Sequence, residues 1–180
     1  YAYQNFKCCP DCLDGGDIVA ANAVPVEPDI ACLAKGMGGG FPVGAVVAKQ
    51  AFANAIVPGT HGTTYGGNPL ACAVAACVLG EIASDGFLDN VRAMGARLED
   101  GLKAIMASSN KINRISGQGL MLGFEAAAPV GEAIGKLREN GLMTTQSGAD
   151  LVRLTPPLIV QANHIDDALT IIEDTLKKDF

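Results

Sequence analysis

Residues 28–44 read PDIACLAKGMGGGFPVG. An apolar run, Ile30–Ala34, ends on Lys35, and Gly36, Gly38, Gly39 and Gly40 crowd the positions after it. A short apolar run bounded by turn signals predicts a buried strand. The glycines predict a tight turn where backbone approaches a ligand closely. Phe41–Ala48 is apolar again and predicts a second strand. Lys35 is thereby expected at a strand end, in apolar surroundings, beside exposed backbone N–H groups. Burial disfavours the ammonium form, so such a lysine is a better nucleophile than a surface lysine. That is what Schiff-base chemistry requires. The competing reading is a strand-end lysine that snorkels to water.

A second stretch, residues 58–70, reads PGTHGTTYGGNPL. It gathers Thr60, Thr63, Thr64, His61, Tyr65 and several glycines into one loop, and hydroxyls with free N–H groups suit a phosphate. The pair LAKGMGGGFPVGA (33–45) and GTHGTTYGGNPLA (59–71) resembles the class III aminotransferases, enzymes that use pyridoxal 5'-phosphate. Within that family the resemblance points to the acetylornithine branch, with ornithine and succinylornithine aminotransferases as near relatives.

The resemblance implies an α/β fold, the C-terminal portion of a fold-type I pyridoxal-phosphate-dependent transferase. Residues 1–84 would end the large cofactor-binding domain and 85–180 would form the small C-terminal domain. It implies that Lys35 is the catalytic residue and carries the cofactor as an internal aldimine. Thr64 would hydrogen-bond the cofactor phosphate and Thr63 would lie beside the substrate. In the family this loop reaches the cofactor of the neighbouring subunit, so a homodimer is implied. The implied reaction moves the δ-amino group of N-acetylornithine to 2-oxoglutarate, a step of arginine and lysine biosynthesis. Lys35, once displaced by substrate, would shuttle the proton between substrate and cofactor carbons. Arg153, in LVRLTPPL, stands near a strand end, where an arginine can clamp a carboxylate with two parallel bonds. The resemblance implies contact with a substrate carboxylate; a surface ion pair is the alternative. His61 reads as a loop hydrogen-bonder rather than a base, and Tyr65 as packing or ordering the loop.

Composition excludes several other classes. The 180 residues are 49% hydrophobic with a net charge of −6 and no basic block. That balance argues against a nucleic-acid partner and against an anionic membrane surface. No apolar run approaches the roughly 20 residues that span a bilayer. The start, YAYQNFKCC, has no signal-peptide core, and six cysteines without one fit a reducing, cytoplasmic setting. The glycine turn fails G-x-G-x-x-G, because Phe41 or Val43 stands at the third glycine position, and there is no P-loop and no G-x-S-x-G elbow.

Relatives run almost directly from an aromatic segment like Tyr1–Phe6 to the PDI at 28–30, so Lys7–Pro25 reads as an insertion. Its Cys8, Cys9 and Cys12 form a C-C-x-x-C cluster in which Cys9 and Cys12 have the C-x-x-C spacing of a zinc knuckle or redox pair; four ligands are not at hand, no metal site is assigned, and a disordered or mis-joined surface-loop insertion is the favoured reading. The family's pyridine-pairing aspartate, stacking aromatic ring and main phosphate turn lie upstream of the matched segment; Asp29 matches a different position. The chain therefore reads as the second half of a longer enzyme, with weak activity expected of it alone. A non-catalytic truncated remnant is the alternative.

The remaining elements follow from pattern. Lys49–Ala55 reads as a short helical piece. Asn68 caps a helix over Leu70–Ala83, with Pro69 at its first position; that helix is apolar nearly all round and is expected to be buried on every side. Leu88, Val91, Met94, Leu98, Leu102 and Ile105 form the stripe of a second helix. Strands are expected over 112–116, 120–126, 142–145 and 151–155, and a helix over 130–140. A closing helix is expected to be capped by Asn163, with Asp166 in the capping-box position and Ile165, Leu169, Ile172 and Leu176 as its stripe.

Overall fold

The structure, a computed structural model, describes residues 29–180, so the cysteine-bearing segment 7–25 lies outside the described residues. The chain divides into two compact units, the first ending at Leu88 and the second running Asp89–Phe180.

In the first unit, β1 (Ile30–Ala34) pairs antiparallel with β2 (Gly44–Ala48). Between them a single 3-10 turn, Lys35–Gly38, follows directly on β1. The second strand is shorter than the apolar run Phe41–Ala48 predicts, because Phe41 still belongs to the turn. Its N–H donates to the Gly38 carbonyl at 2.8 Å, and Pro42 has no N–H to give to a ladder. A short helix α1 (Gln50–Ala53) and the threonine loop lead to α2 (Pro69–Ile82). Asn68 is the N-cap of α2, accepting from Ala71 N–H at 2.9 Å, and Pro69 opens the helix. The expectation that α2 is buried on every side is not met. Ala71, Ala75 and Ile82 are buried, while Leu70 is 62% exposed and Cys72 and Cys77 face outward. Among the described residues, one side of this helix is covered and much of the rest of its apolar surface is exposed.

The second unit is a four-stranded antiparallel sheet, in the order β3-β4-β6-β5, with helices packed on one face. Its elements are α3 (Phe87–Ser109), β3 (Ile112–Gln118), β4 (Met121–Ala126), α4 (Val130–Glu139), β5 (Thr145–Ser147), β6 (Leu151–Leu154) and α5 (Ala162–Asp179). The period-2 rule puts Leu122, Phe124, Val152 and Leu154 on one face, and all four are buried. The helical stripes are buried as expected: Val91, Leu98, Leu102 and Ile105 of α3 and Ile165, Ile172 and Leu176 of α5. Each such side chain stabilises by about 1.5–3 kcal/mol. The half-exposed Arg97 of α3 and Asp166 of α5 make a two-pronged ion pair at 2.6 and 2.7 Å. The hydrogen bond to Arg97 and its charge hold the Asp166 carboxyl below its usual range.

Two boundaries differ from expectation. Leu142 and Met143 are not strand. Gly141, at φ +94°, lets the chain leave α4 in a Schellman closure. Gly141 N–H donates to the Arg138 carbonyl and Leu142 N–H to that of Leu137. The strand β5 then begins only at Thr145. The closing helix is capped by Gln161, two residues before Asn163, and its capping box is completed by the His164 ring, whose Nδ1 accepts from Gln161 N–H.

Candidate active site

β1 delivers Lys35 at its end, as expected. Ala34 is fully extended (φ −158°, ψ −176°), and Lys35 then turns into the left-handed region at φ +58°. That conformation is uncommon for a residue with a side chain. Gly36, Met37 and Gly38 are buried, so the turn is anchored from beneath. Its closing residue, Gly39, is left-handed too (φ +56°), and its N–H donates to the Gly36 carbonyl at 3.1 Å. A Cβ at Gly39 would lie 3.0 Å from Val78 Cγ2, so the turn rests against α2.

The expectation of a buried amine is not met: Lys35 is exposed. The left-handed kink swings its side chain off the strand while the glycines take the buried positions. Every other lysine among the described residues has a partner: Lys49 with Asp29, Lys103 with Glu99, Lys111 with the Phe180 carbonyl, Lys136 with Glu139, Lys177 with Glu173 and Lys178 with Asp174. Lys35 has none among the described residues.

The threonine loop is exposed throughout 59–67. Thr60 Oγ1 donates to the Val57 carbonyl at 2.6 Å, whereas the hydroxyls of Thr63 and Thr64 have no partner among the described residues. A Cβ at Gly66 would stand 2.2 Å from Thr63 Cγ2, so the absence of a side chain there makes room for the Thr63 methyl. Asn68 ties the loop to the helix it caps: its Nδ2 donates to the Tyr65 carbonyl at 2.9 Å while Oδ1 serves α2. His61 is exposed on the same loop, and Tyr65 is 81% exposed rather than packed. A free amine on a rigid glycine turn and two unpartnered hydroxyls on a loop are donor sets that fit an aldehyde and a phosphate.

Arg153 lies in the second unit, on β6, half-buried. Its Nε donates to Thr145 Oγ1 at 3.1 Å, and it forms no ion pair among the described residues. The surface ion pair that was its alternative reading is not formed there. Sequence reasoning missed Thr145, because its role depends on the β5–β6 register, Thr145 opposite Arg153. The hairpin signal that could have shown it is the short turn around Gly148.

These features can be set beside known proteins. The family model described as Aminotransferase class-III matches residues 14–176. The chain belongs to the class III aminotransferase family. It is 44% identical over 163 residues to the acetylornithine aminotransferase of Clostridium acetobutylicum, covering 90% of this chain and 42% of that one. It is 44% identical over 154 residues to that of Caldanaerobacter subterraneus, covering 85% and 39%. Among solved structures it is similar to the acetylornithine aminotransferase of Elizabethkingia anophelis, with a TM-score of 0.79 and 32% identity over 86% of this chain and 42% of that one. It is also similar to the ornithine δ-aminotransferase of Plasmodium falciparum, with a TM-score of 0.78 and 34% identity over 84% and 40%. The mixed α/β architecture is therefore a part of the fold of pyridoxal-phosphate-dependent aminotransferases, and the chain spans about two fifths of the length of the relatives it matches.

Proposed function

We propose that this chain is part of a pyridoxal-phosphate-dependent transaminase of the acetylornithine:2-oxoglutarate type. The observation that carries the reading is Lys35: the lysine without a partner among the described residues stands at the strand-to-glycine turn where the family keeps its catalytic amine. On this reading the Lys35 amine holds the aldehyde carbon of pyridoxal 5'-phosphate, and the Thr64 hydroxyl donates to its phosphate. When bound, the cofactor supplies an electron sink for the carbanion formed at the amine-bearing carbon. The Lys35 amine, when free, would take the proton from that carbon and deliver it to the cofactor carbon that the amine had held. Thr63, seated by Gly66, borders the substrate, and Arg153 takes a substrate carboxylate.

The reading brings three further assignments. Residues 1–84 finish the large cofactor-binding domain and 85–180 are the small domain. The Thr63–Thr64 loop serves the neighbouring subunit of a homodimer. The setting on this reading is cytoplasmic amino-acid biosynthesis, the biosynthetic part of which is in keeping with relatives named as bacterial acetylornithine aminotransferases. A second reading, ornithine as the amine donor, is favoured by the similarity to ornithine aminotransferase structures.

The test is glutamate formation from 2-oxoglutarate with N-acetylornithine or ornithine as donor. The protein should use N-acetylornithine in preference, and Lys35→Ala should abolish transfer. Preference for ornithine would select the second reading, and undiminished transfer by Lys35→Ala would overturn both.

A further inference from the structure

Across the second unit's sheet, on the face away from the helices, the strand registers place Ser116, Gly123, Arg153 and Thr145 in one row. Arg153 thus has a residue without a side chain on one flank and a hydroxyl on the other. Two carboxylates share this side of the unit: Glu125 on the same face of β4, and Asp150 just before β6. Both are taken by Arg114, whose Nε lies 3.2 Å from Glu125 Oε2 and whose Nη2 lies 2.9 Å from Asp150 Oδ2. Asn113 Nδ2 adds a bond to Glu125 Oε1 at 3.3 Å. The acidic groups are thereby satisfied without Arg153, whose charge stays uncompensated among the described residues.

A guanidinium meets a carboxylate two-pronged either side-on, through Nε and one Nη, or end-on, through both Nη groups. The side-on approach is closed here because Nε donates to Thr145 Oγ1 at 3.1 Å. We infer that Thr145 is a positioning residue that fixes the Arg153 guanidinium and leaves Nη1 and Nη2 as an end-on fork for a substrate carboxylate. The inference rests on the reading that Arg153 takes that carboxylate. A neutral hydroxyl suits the task because it orients the arginine without neutralising it. An acidic residue in its place would occupy the same charge permanently. Thr145 also pre-orients a long side chain whose freedom would otherwise be lost on binding.

The experiment uses the full chain and glutarate, a dicarboxylate with neither amine nor carbonyl, so that binding is read without any cofactor chemistry. Calorimetric titration should show glutarate binding that Arg153→Gln abolishes. Thr145→Val keeps shape and strand preference but removes the hydroxyl, and should weaken binding about tenfold, the loss of one charge-assisted hydrogen bond. Thr145→Ser should stay within about twofold of the parent, since it restores the acceptor. Thr145→Asp should abolish binding through its own ion pair with Arg153. Circular dichroism confirms that each variant folds, and the Arg153 Nε–H resonance should exchange faster in Thr145→Val than in Thr145→Ser. Equal binding by Thr145→Val and the parent, equal losses in the valine and serine variants, or no Arg153-dependent binding at all would each overturn the inference. Thr145-dependent glutarate binding in a protein that transfers no amino group would sustain it and remove the transaminase reading. Amino transfer with binding indifferent to Thr145 would do the reverse.

Discussion

Replacing Gly39 by alanine perturbs the Lys35 turn in two separable ways. The backbone at φ +56° suits glycine and costs an L-residue about 1–2 kcal/mol. The new Cβ would also lie 3.0 Å from Val78 Cγ2. That neighbour is a side-chain tip on α2, so it yields at the low end of the overpacking range, about 1 kcal/mol. The sum is roughly 2–3 kcal/mol, and 2 kcal/mol is about a thirtyfold rise in local opening. Hydrogen exchange of peptides covering 30–48 and 69–82 reads this directly, with peptides of the second unit as internal controls. In a Val78→Ala background the contact is gone and only the backbone cost remains, so the same Gly39→Ala change should cost about 1 kcal/mol less there. Gly39→Asn, which tolerates the left-handed region better, should fall between glycine and alanine. Exchange within about twofold of the parent in Gly39→Ala would refute the view that this turn is held in its conformation by glycine. An undiminished cost in the Val78→Ala background would refute its seating against α2.

Three further outcomes follow from other parts of the structure. Thr144 Oγ1 is buried without a hydrogen-bond partner among the described residues, so Thr144→Val should stabilise by about 1 kcal/mol; Thr175, 1% exposed and accepting from Asn140 Nδ2 at 2.9 Å, should lose about that much on the same change, both read by denaturant titration. Asp166 has its pKa lowered in the fold by Arg97, so its contribution is present above the unfolded carboxyl value, about 4, and is lost as pH falls through the lower folded value; Asp166→Asn should flatten that acid limb in melting curves against pH. Asn68→Ala should cost about 1 kcal/mol as a lost helix cap, whereas Asn68→Asp should keep the cap and release only the Tyr65 carbonyl, raising exchange in the threonine loop alone.

Legibility in the sequence followed the range of the forces involved. β1 was readable because a five-residue apolar run ends on a lysine and glycines, and its bounds Ile30–Ala34 coincide with the prediction, but the burial expected of it is not met, since only Ala31 is buried and Ile30 is 53% exposed. The Asn68 cap and the α3 and α5 stripes were readable because capping and periodicity are local. The shifted start of β5 was not, because Leu142 looks like a strand residue but closes the α4 Schellman turn, and Met143 beside it is 86% exposed. The true cap of α5 escaped because a histidine ring, not a carboxylate, completes the box. At the site, residue type and spacing singled out Lys35 before its glycine turn, while the proposed roles of Thr63, Thr64 and Arg153 came from the family resemblance. The exposure of Lys35 fits the competing strand-end reading rather than the buried one, and α2 lies partly exposed because an apolar sequence states what a segment prefers to bury and not what is present to cover it. The Thr145–Arg153 bond and the Arg114 network depend on strand register, which single-sequence patterns leave undefined.

The central claim is that Lys35 is the amine that holds pyridoxal phosphate. Treatment of the protein with pyridoxal phosphate and then borohydride reduces the linkage to a stable secondary amine, which peptide mass spectrometry locates. The label should fall on the peptide containing Lys35, with Lys49 and the other paired lysines unlabelled at limiting cofactor, and no specific label in Lys35→Ala. Label distributed over the surface lysines in proportion to their exposure, unchanged by Lys35→Ala, would contradict it.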